Sequence, residues 1–418
     1  MADLTITIER LAAGGDGVGH LEDGLTVFVP RTAPGDRVRL GDVVRHRRHA
    51  FARAVEIVAP GTGRVTPRCA HFAGEGCGGC QWQHLSAEEQ AGAKARIVGD
   101  ALRRIGRLDL PDPVVTPSPS SFGYRGTVTL TAQGRGARRV VGLHRGADAT
   151  VFALDRCEIA REPLNELWSA VRGWMGALPQ GDDVRLALRV AGEGGLHLVV
   201  RGGEGAWGGA AALAGAAAAS GLRPTVWWQP TGGAVRRMAG PEADASAVAF
   251  EQVNADVASA LRDAVLAVVP DVTARVLDLY AGVGEVGLAL AARGALVVTV
   301  EVDGRAVRWT QARAAALGLR LRAVAAKVED VVAGLLPADA IVANPPRTGL
   351  EASVCEALRA ALPRTLVYVS CDPATLARDL VRLGVTAGRI RAVRAFDMFP
   401  QTSHVETLVV LDGEEGPA

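Results

Sequence analysis

Two kinds of alternation divide this chain. Over residues 3–58 apolar and polar positions alternate in short runs, Leu4–Ile8, Leu25–Val29, Arg37–Leu40 and Ala52–Val58, separated by glycine-rich turns at Gly14–Gly19 and Pro34–Asp36. A period of two with regular turns predicts short strands closing into a small β-barrel. Gly14–Gly19 opens no helix, so it reads as a hairpin turn and not as a dinucleotide loop. Over residues 86–108 the period becomes helical, and Ser86 with Glu89 fits a capping box. Residues 111–121, rich in proline and serine, read as a linker. Strand-like runs follow from Tyr124 to about Arg201, interrupted by a helix over 162–176. After Pro241 helices over 255–268, 285–293, 304–317, 351–361 and 373–382 alternate with strands over 275–279, 295–300, 339–343 and 365–369. That alternation predicts a doubly wound, mostly parallel α/β sheet. The chain therefore divides into a barrel (1–60), a central β-rich region (61–245) and an α/β unit (246–418), with no internal repeat.

Composition changes this picture little. The 418 residues are 49% apolar and 22% charged, ordinary globular usage. The net charge of +1 neither demands nor excludes nucleic acid, because a local patch binds while the total stays neutral. Such a patch is Arg45–His49, suited to phosphate and equally to a solvated loop. Lys94 and Lys327 are the only lysines, so arginine supplies the other basic residues. The N-terminus has no basic and apolar leader, and the Ala/Gly run Gly208–Ser220 is too short and too weakly apolar to span a bilayer. Both point to a cytoplasmic protein without membrane attachment. There, six cysteines are expected to be reduced, metal-bound or catalytic.

Chemistry concentrates in the last third. Val276–Gly287 is an apolar strand, a Gly282-Val283-Gly284 turn and a helix start, where glycines let a ligand approach the backbone. Glu301 ends the next strand with a carboxylate suited to a ribose diol. Gly287 supplies a third glycine, so spacing fits a dinucleotide and S-adenosylmethionine alike. Ile341–Gly349 is a strand stopped by Asn344-Pro345-Pro346-Arg347, whose paired prolines fix Asn344 at the sheet's carboxyl edge. Cys371 stands where an apolar strand ends and a helix begins near Pro373, a position where free N–H groups favour thiolate. His404 and Glu406 lie two apart on a further strand. Cys355, among Val354 and Leu358, reads as core. Cys69, Cys77, Cys80 and Cys157 form a second group, with Gly78-Gly79 permitting a tight turn between two ligands. On spacing, four thiolates suit zinc and an iron–sulfur cluster equally.

Taken in order, Phe250–Asn254, Asp278–Gly284, Val300-Glu301, Asn344–Arg347, Val369–Pro373 and Phe399–Glu406 resemble the motifs of the RNA (uracil-5-)-methyltransferases. The likeness covers nearly the whole chain and is greatest to the branch that carries an N-terminal TRAM barrel and an iron–sulfur cluster and modifies large-subunit ribosomal RNA. It implies a Rossmann-like methyltransferase domain behind an OB-like barrel. It implies Gln252, Tyr280, Gly282, Gly284, Glu301 and Asn344 around S-adenosylmethionine, Cys371 as nucleophile and Glu406 as base. With Gln81–His84 just after, it turns the four-cysteine group towards a four-iron four-sulfur (4Fe-4S) cluster. RNA is the implied partner, 23S ribosomal or alternatively transfer RNA, met by the barrel, Phe122–Arg125 and Arg347; no obligate protein partner is implied. Two positions depart from the pattern: Asn344 replaces the usual aspartate, and Lys327 stands where an acidic residue often follows the third strand. Uracil C5 needs a thiolate at C6 to become nucleophilic and a base to take its proton afterwards. Two rival readings are an amino methyltransferase using Asn344-Pro345-Pro346, which needs no thiol, and a noncatalytic RNA-binding factor.

Overall fold

A computed structural model describes residues 4–413 except 75, 147, 149, 192–193, 244–251 and 270–274, and leaves the side chain of Ala137 undescribed. Phe250 and Glu251 of the motif at 250–254, and the expected boundary at 245/246, lie outside the described residues.

The alternating N-terminal runs become β1 (Thr5–Thr7), β2 (Arg10–Leu11), β3 (Gly17–His20), β4 (Thr26–Val29), β5 (Arg37–Arg45) and β6 (Ala50–Ala59). They pair in the order β1-β5-β6-β4-β3-β2 around Ile6, Ile8, Val27, Val29, Val38 and Ala50. The turn at Gly14–Gly19 is a hairpin, pairing Arg10 with Val18 and Leu11 with Gly17.

After the short α1 (Ala70–Ala73), α2 (Ala87–Arg104) starts at Ser86, whose Oγ accepts the Glu89 N–H at 3.2 Å. Its buried face, Val98 and Leu102, joins the core beneath the third sheet. Residues 111–121 are more than a linker: β7 (Val114–Thr116) pairs parallel with a strand near the C-terminus. Local proline content conceals this, because β7 is an edge strand and edges tolerate proline neighbours.

The central sheet has β8 (Thr127–Gln133), β9 (Val140–His144), β10 (Val151–Ala153), β11 (Val184–Ala191), β12 (Gly195–Arg201), β13 (Thr225–Gln229) and β14 (Arg236–Ala239), in the order β10-β9-β8-β11-β12-β13-β14. One face packs on α3 (Glu162–Val171) and α4 (Ala210–Ala219) through Leu167, Trp168, Leu213, Leu186, Leu198 and Trp228. The alanine-rich run at 208–220 thus supplies a core helix.

The third sheet holds β15 (Arg275–Leu279), β16 (Leu296–Glu301), β17 (Leu321–Ala325), β18 (Ala340–Ala343), β19 (Thr365–Ser370), β20 (Ile390–Phe396) and β21 (Glu406–Asp412), ordered β17-β16-β15-β18-β19-β21-β20-β7. Strands β15 to β19 are mutually parallel, and β21 is antiparallel to both β19 and β20. Both faces are covered, which is why the strands read as continuous apolar runs. Leu366, Tyr368, Val409 and Leu411 face α2, α8 (Val328–Leu335), α9 (Ala352–Ala360) and α10 (Pro373–Arg382). Val367, Val369, Leu408 and Val410 face the opposite core, with α5 (Ala255–Val268), α6 (Glu285–Ala292) and α7 (Gly304–Ala316).

Since Leu102 is fully buried against this sheet, Leu102→Ala is expected to lower stability by about 2–5 kcal/mol. Hydrogen exchange should quicken in β19 and β21, over 200 residues away in sequence. Unchanged protection there would mean that α2 is no part of the body built on the third sheet.

Candidate active site

Cys371 follows β19 directly. Asp372 caps α10 by accepting the Thr375 N–H at 2.8 Å, and the Ser370 hydroxyl donates to the Asp372 carbonyl at 3.1 Å. The half-buried thiol is thereby held at a helix N-terminus, at the carboxyl edge of the sheet. Glu406 opens β21, whose ladder sets Thr407 opposite Ser370. Its side chain is almost completely buried, 2% exposed. Arg347 completes the group: it follows the turn after β18, close enough for its charge to act on both Cys371 and Glu406.

Burial governs both acids. It pushes the Glu406 carboxyl up to about 8, against the pull of Arg347. It also raises the Cys371 thiol, the nearby Glu406 charge adds to the rise, and Arg347 opposes it. The helix terminus alone was expected to favour thiolate; desolvation outweighs it, and the guanidinium supplies the compensation. Arg347 in this role escaped the sequence reading, which gave it to RNA. The available signal was the Pro345-Pro346 pair, which fixes the direction of the next residue.

His404 corrects a second expectation. It precedes β21 in an irregular segment, so the period-two argument pairing it with Glu406 does not hold. Its ring packs edge-on to Phe399 at 6.0 Å. Tyr124 is core: 6% exposed, its hydroxyl donates to the Pro400 carbonyl at 3.0 Å. It is thus withdrawn from the RNA-contacting set proposed for Phe122–Arg125.

At the glycine turn, Tyr280, Gly282 and Gly284 have φ of 60°, 56° and 70°. This left-handed run is natural for glycine and strained for Tyr280. Glu301 ends β16, and its carboxylate accepts the Gly282 N–H at 3.0 Å and the Asp303 N–H at 2.8 Å. Those bonds fix the loop and leave the remaining lone pairs for a ligand. Gly287 serves packing: a Cβ there would lie 2.6 Å from Thr299 and 3.0 Å from Asp278. Asp278 is buried, accepts the Gly287 N–H at 2.9 Å, and is raised to about 7 by desolvation. Asn344 donates its N–H to the Leu279 carbonyl at 3.2 Å, bringing the Asn-Pro-Pro turn beside the glycine loop. Gln252 lies just before Asn254, which caps α5 and bonds Ser118. The Tyr280 hydroxyl is buried without a hydrogen-bond partner among the described residues. Lys327 is exposed at the start of α8, 3.8 Å from Glu329.

The second cysteine group also converges. Cys69, Cys77 and Cys80 are buried and Cys157 half-buried, all four reduced. Cys80 feels the charges of the other three, and burial lifts it to about 12. Among the described residues no set of three or more His, Cys, Asp or Glu side chains is arranged to hold a metal ion. The surrounding backbone is firmly tied: the Gly78 N–H donates to the His144 carbonyl at 3.0 Å, the Cys69 N–H to Gln83 at 3.1 Å, and the Cys157 N–H to Asn165 at 3.0 Å. Cys355 is core, as expected. The basic run Arg45–His49 sits where β5 passes to β6, with the His46 and His49 rings stacked at 5.0 Å and Phe51 edge-on to His49. No helix among the described residues is long and apolar enough to cross a membrane.

Residues 3–40 match the TRAM domain, 244–366 a methyltransferase small domain, and 321–414 the tRNA (uracil-5-)-methyltransferase domain. The chain is 33% identical to the 23S rRNA (uracil(1939)-C(5))-methyltransferase of Chromohalobacter salexigens, over 97% of this chain and 88% of that protein. It is 32% identical to an uncharacterized RNA methyltransferase of Thermosynechococcus vestitus, over 98% of each. Among solved structures, the Pyrococcus abyssi tRNA (uracil-54, C5)-methyltransferase bound to S-adenosyl-L-homocysteine has the same fold, with a TM-score of 0.74, 23% identity, and coverage of 97% of this chain and 100% of that one.

The raised Glu406 carboxyl has a stability signature. A folded-state value above the unfolded one means that its contribution is complete below about 4.5 and is lost as pH rises through about 8. Glu406→Gln, which cannot ionise, is expected to melt several degrees above the wild type at pH 9, with the gap closing below pH 4.5. An equal gap at all pH values would show that Glu406 is not held in its neutral form.

Proposed function

The chain belongs to the RNA (uracil-5-)-methyltransferase family, and on that premise we propose that it methylates uracil C5 in 23S ribosomal RNA through a Cys371 adduct. The observation carrying this reading is the meeting of Cys371, Arg347 and Glu406, brought from the end of β19, the turn after β18 and the start of β21 to one sheet edge. The identity to a ribosomal RNA enzyme favours that substrate over transfer RNA.

Cys371 releases its proton to solvent with Arg347 beside the developing sulfur anion, and adds to C6 of a uracil turned out of its stack. The C5=C6 pair moves to give an enolate at the C4 oxygen. S-adenosylmethionine, held by Gln252, Tyr280, Gly282, Gly284, Glu301 and Asn344, supplies an electrophilic methyl group. C5, made nucleophilic by the thiol addition, takes that methyl. The Glu406 carboxylate then removes the C5 proton, and the sulfur leaves C6. Buried with its affinity for protons raised, Glu406 is a stronger base than an exposed carboxylate. An amino methyltransferase would leave this thiol and base without work.

Cys69, Cys77, Cys80 and Cys157 hold a four-iron four-sulfur cluster in this reading. The reading is supported by Cys69, Cys80 and Cys157 packing in one cluster, with Cys77 near enough for its charge to act on Cys80, although the four thiols are not drawn together in a ligating arrangement. Burial opposes ionisation of Cys77, Cys80 and Cys157, so a bound cation is what would make them thiolates. A cluster there ties the cysteine loop to the central sheet. The barrel and its Arg45–His49 run meet the RNA backbone, and the protein works in the cytoplasm without membrane or obligate protein partner.

RNA carrying 5-fluorouridine tests the chemistry, because fluorine cannot leave as a proton. With S-adenosylmethionine, mass spectrometry should find a methylated RNA adduct on Cys371, absent in Cys371→Ala. No adduct with ribosomal or transfer RNA, with cofactor bound, would overturn the covalent reading in favour of amino methylation. Anaerobically purified protein should contain iron and acid-labile sulfide in equal amounts, both depleted in Cys80→Ser; zinc alone would refute the cluster.

A further inference from the structure

The Glu406 carboxyl is delivered by the connection from β20 to β21, residues 397–405. That connection is irregular, yet the backbone of Phe399 and Gln401 is held by residues 81–94. The Gln81 and Trp82 N–H groups donate to the Gln401 carbonyl at 3.1 and 3.0 Å. Gln90 accepts the Gln401 N–H at 2.9 Å and donates to its side-chain oxygen at 3.1 Å. Gln401 itself has φ of 70°, a conformation that a non-glycine residue keeps only when its surroundings impose it. At the centre is Lys94 on α2, its side chain wholly buried, with its ammonium beside Asp397 and 3.0 Å from the Phe399 carbonyl.

A buried ion pair adds little net stability against apolar side chains of the same volume, so stability gives weak reason to bury an ammonium here. Composition makes the choice sharper: arginine supplies 44 of the 46 basic residues, and the other lysine, Lys327, is exposed. A compact three-donor head can serve a carboxylate and a carbonyl in one small space, where a planar fork presents a different geometry. The ammonium is also close enough for its charge to act on His404, two residues before Glu406.

We propose that Lys94 is a positioning residue for proton removal: by pinning Asp397 and Phe399 it sets the register of the loop that presents Glu406. This rests on the uracil C5 reading above. In the step concerned, the C5–H proton passes to the Glu406 carboxylate and its bonding pair forms the C5=C6 bond. The C6–S bond breaks, and its pair returns to the Cys371 sulfur. Thiol addition and methyl transfer come earlier and do not need Glu406 in place.

That order separates the role from a merely structural one. The full-length Lys94→Met variant is compared with wild type on ordinary RNA and on 5-fluorouridine RNA. Lys94→Met/Asp397→Asn is the companion variant, in which no buried charge is left unpaired. We expect turnover on ordinary RNA to fall by about 10–100-fold, as small misplacements of catalytic groups do. Trapping by 5-fluorouridine RNA should stay within about twofold of wild type. A methylated Cys371 adduct should also accumulate on ordinary uridine, where wild type shows none. Equal losses of turnover and trapping in a folded variant would overturn the proposal, as would unchanged turnover. If wild type forms no adduct, the uracil C5 reading fails first, and the two failures are told apart.

Discussion

Two acids share one desolvated corner, and much of the methyltransferase unit is arranged around that difficulty. A thiolate and a carboxylate side by side repel each other, and burial makes each charge costly. Cys371 and Glu406 are both shifted towards their neutral forms, and Arg347 is the cation that works against both shifts. One guanidinium beside two acids lets either ionise in turn more readily than both together. A reaction that needs first a thiolate and later a carboxylate makes the same demand. The rigid Pro345-Pro346 turn, the cap on α10 and the β19–β21 ladder each hold one member of this group.

Much of this was legible in the sequence, for a physical reason: the parallel sheet is buried on both faces, so its strands and helices announce themselves as periodic apolar runs. The helix at 373–382 and the strand at 275–279 lie where the pattern put them. The proposed nucleophile and base stood out in the sequence because their neighbours are unusual in chemistry, not in periodicity. What the pattern hid depended on contacts distant in the chain. β7 has three residues and a proline-rich setting, and only its partner β20 makes it a strand. Arg347 looked like a surface cation because nothing local says that Cys371 stands opposite. The thiol at a helix start looked activated because local geometry omits burial. His404 was paired with Glu406 on the assumption that the strand began earlier than it does.

The segment from Arg64 to Gln90 is the joint of the molecule. Arg64 pairs with the buried Asp36 of the barrel at 2.7 Å, and the Trp82 indole donates to the Gly15 carbonyl at 2.9 Å. Gly78 holds the central sheet through His144, and Gln81 and Trp82 hold the third unit through Gln401. Barrel, central sheet and the loop before β21 are thus referenced to one short stretch that also carries three cysteines. Small polar contacts of this kind contribute little individually, yet together they fix geometry among units whose cores are separate.

The strand β7 has a consequence for how the methyltransferase sheet survives in solution. Without it, β20 would present a row of unpaired backbone groups, a template on which another chain could add by β-augmentation. Three residues borrowed from position 114 close that edge, and the cover is itself too short to recruit a further strand. A fragment beginning near residue 246 would keep β15 to β21 and lose their edge guard together with α2, exposing Leu366 and Leu411 alongside it. The unit that looks separable by sequence is therefore protected from self-association by chain that comes before it.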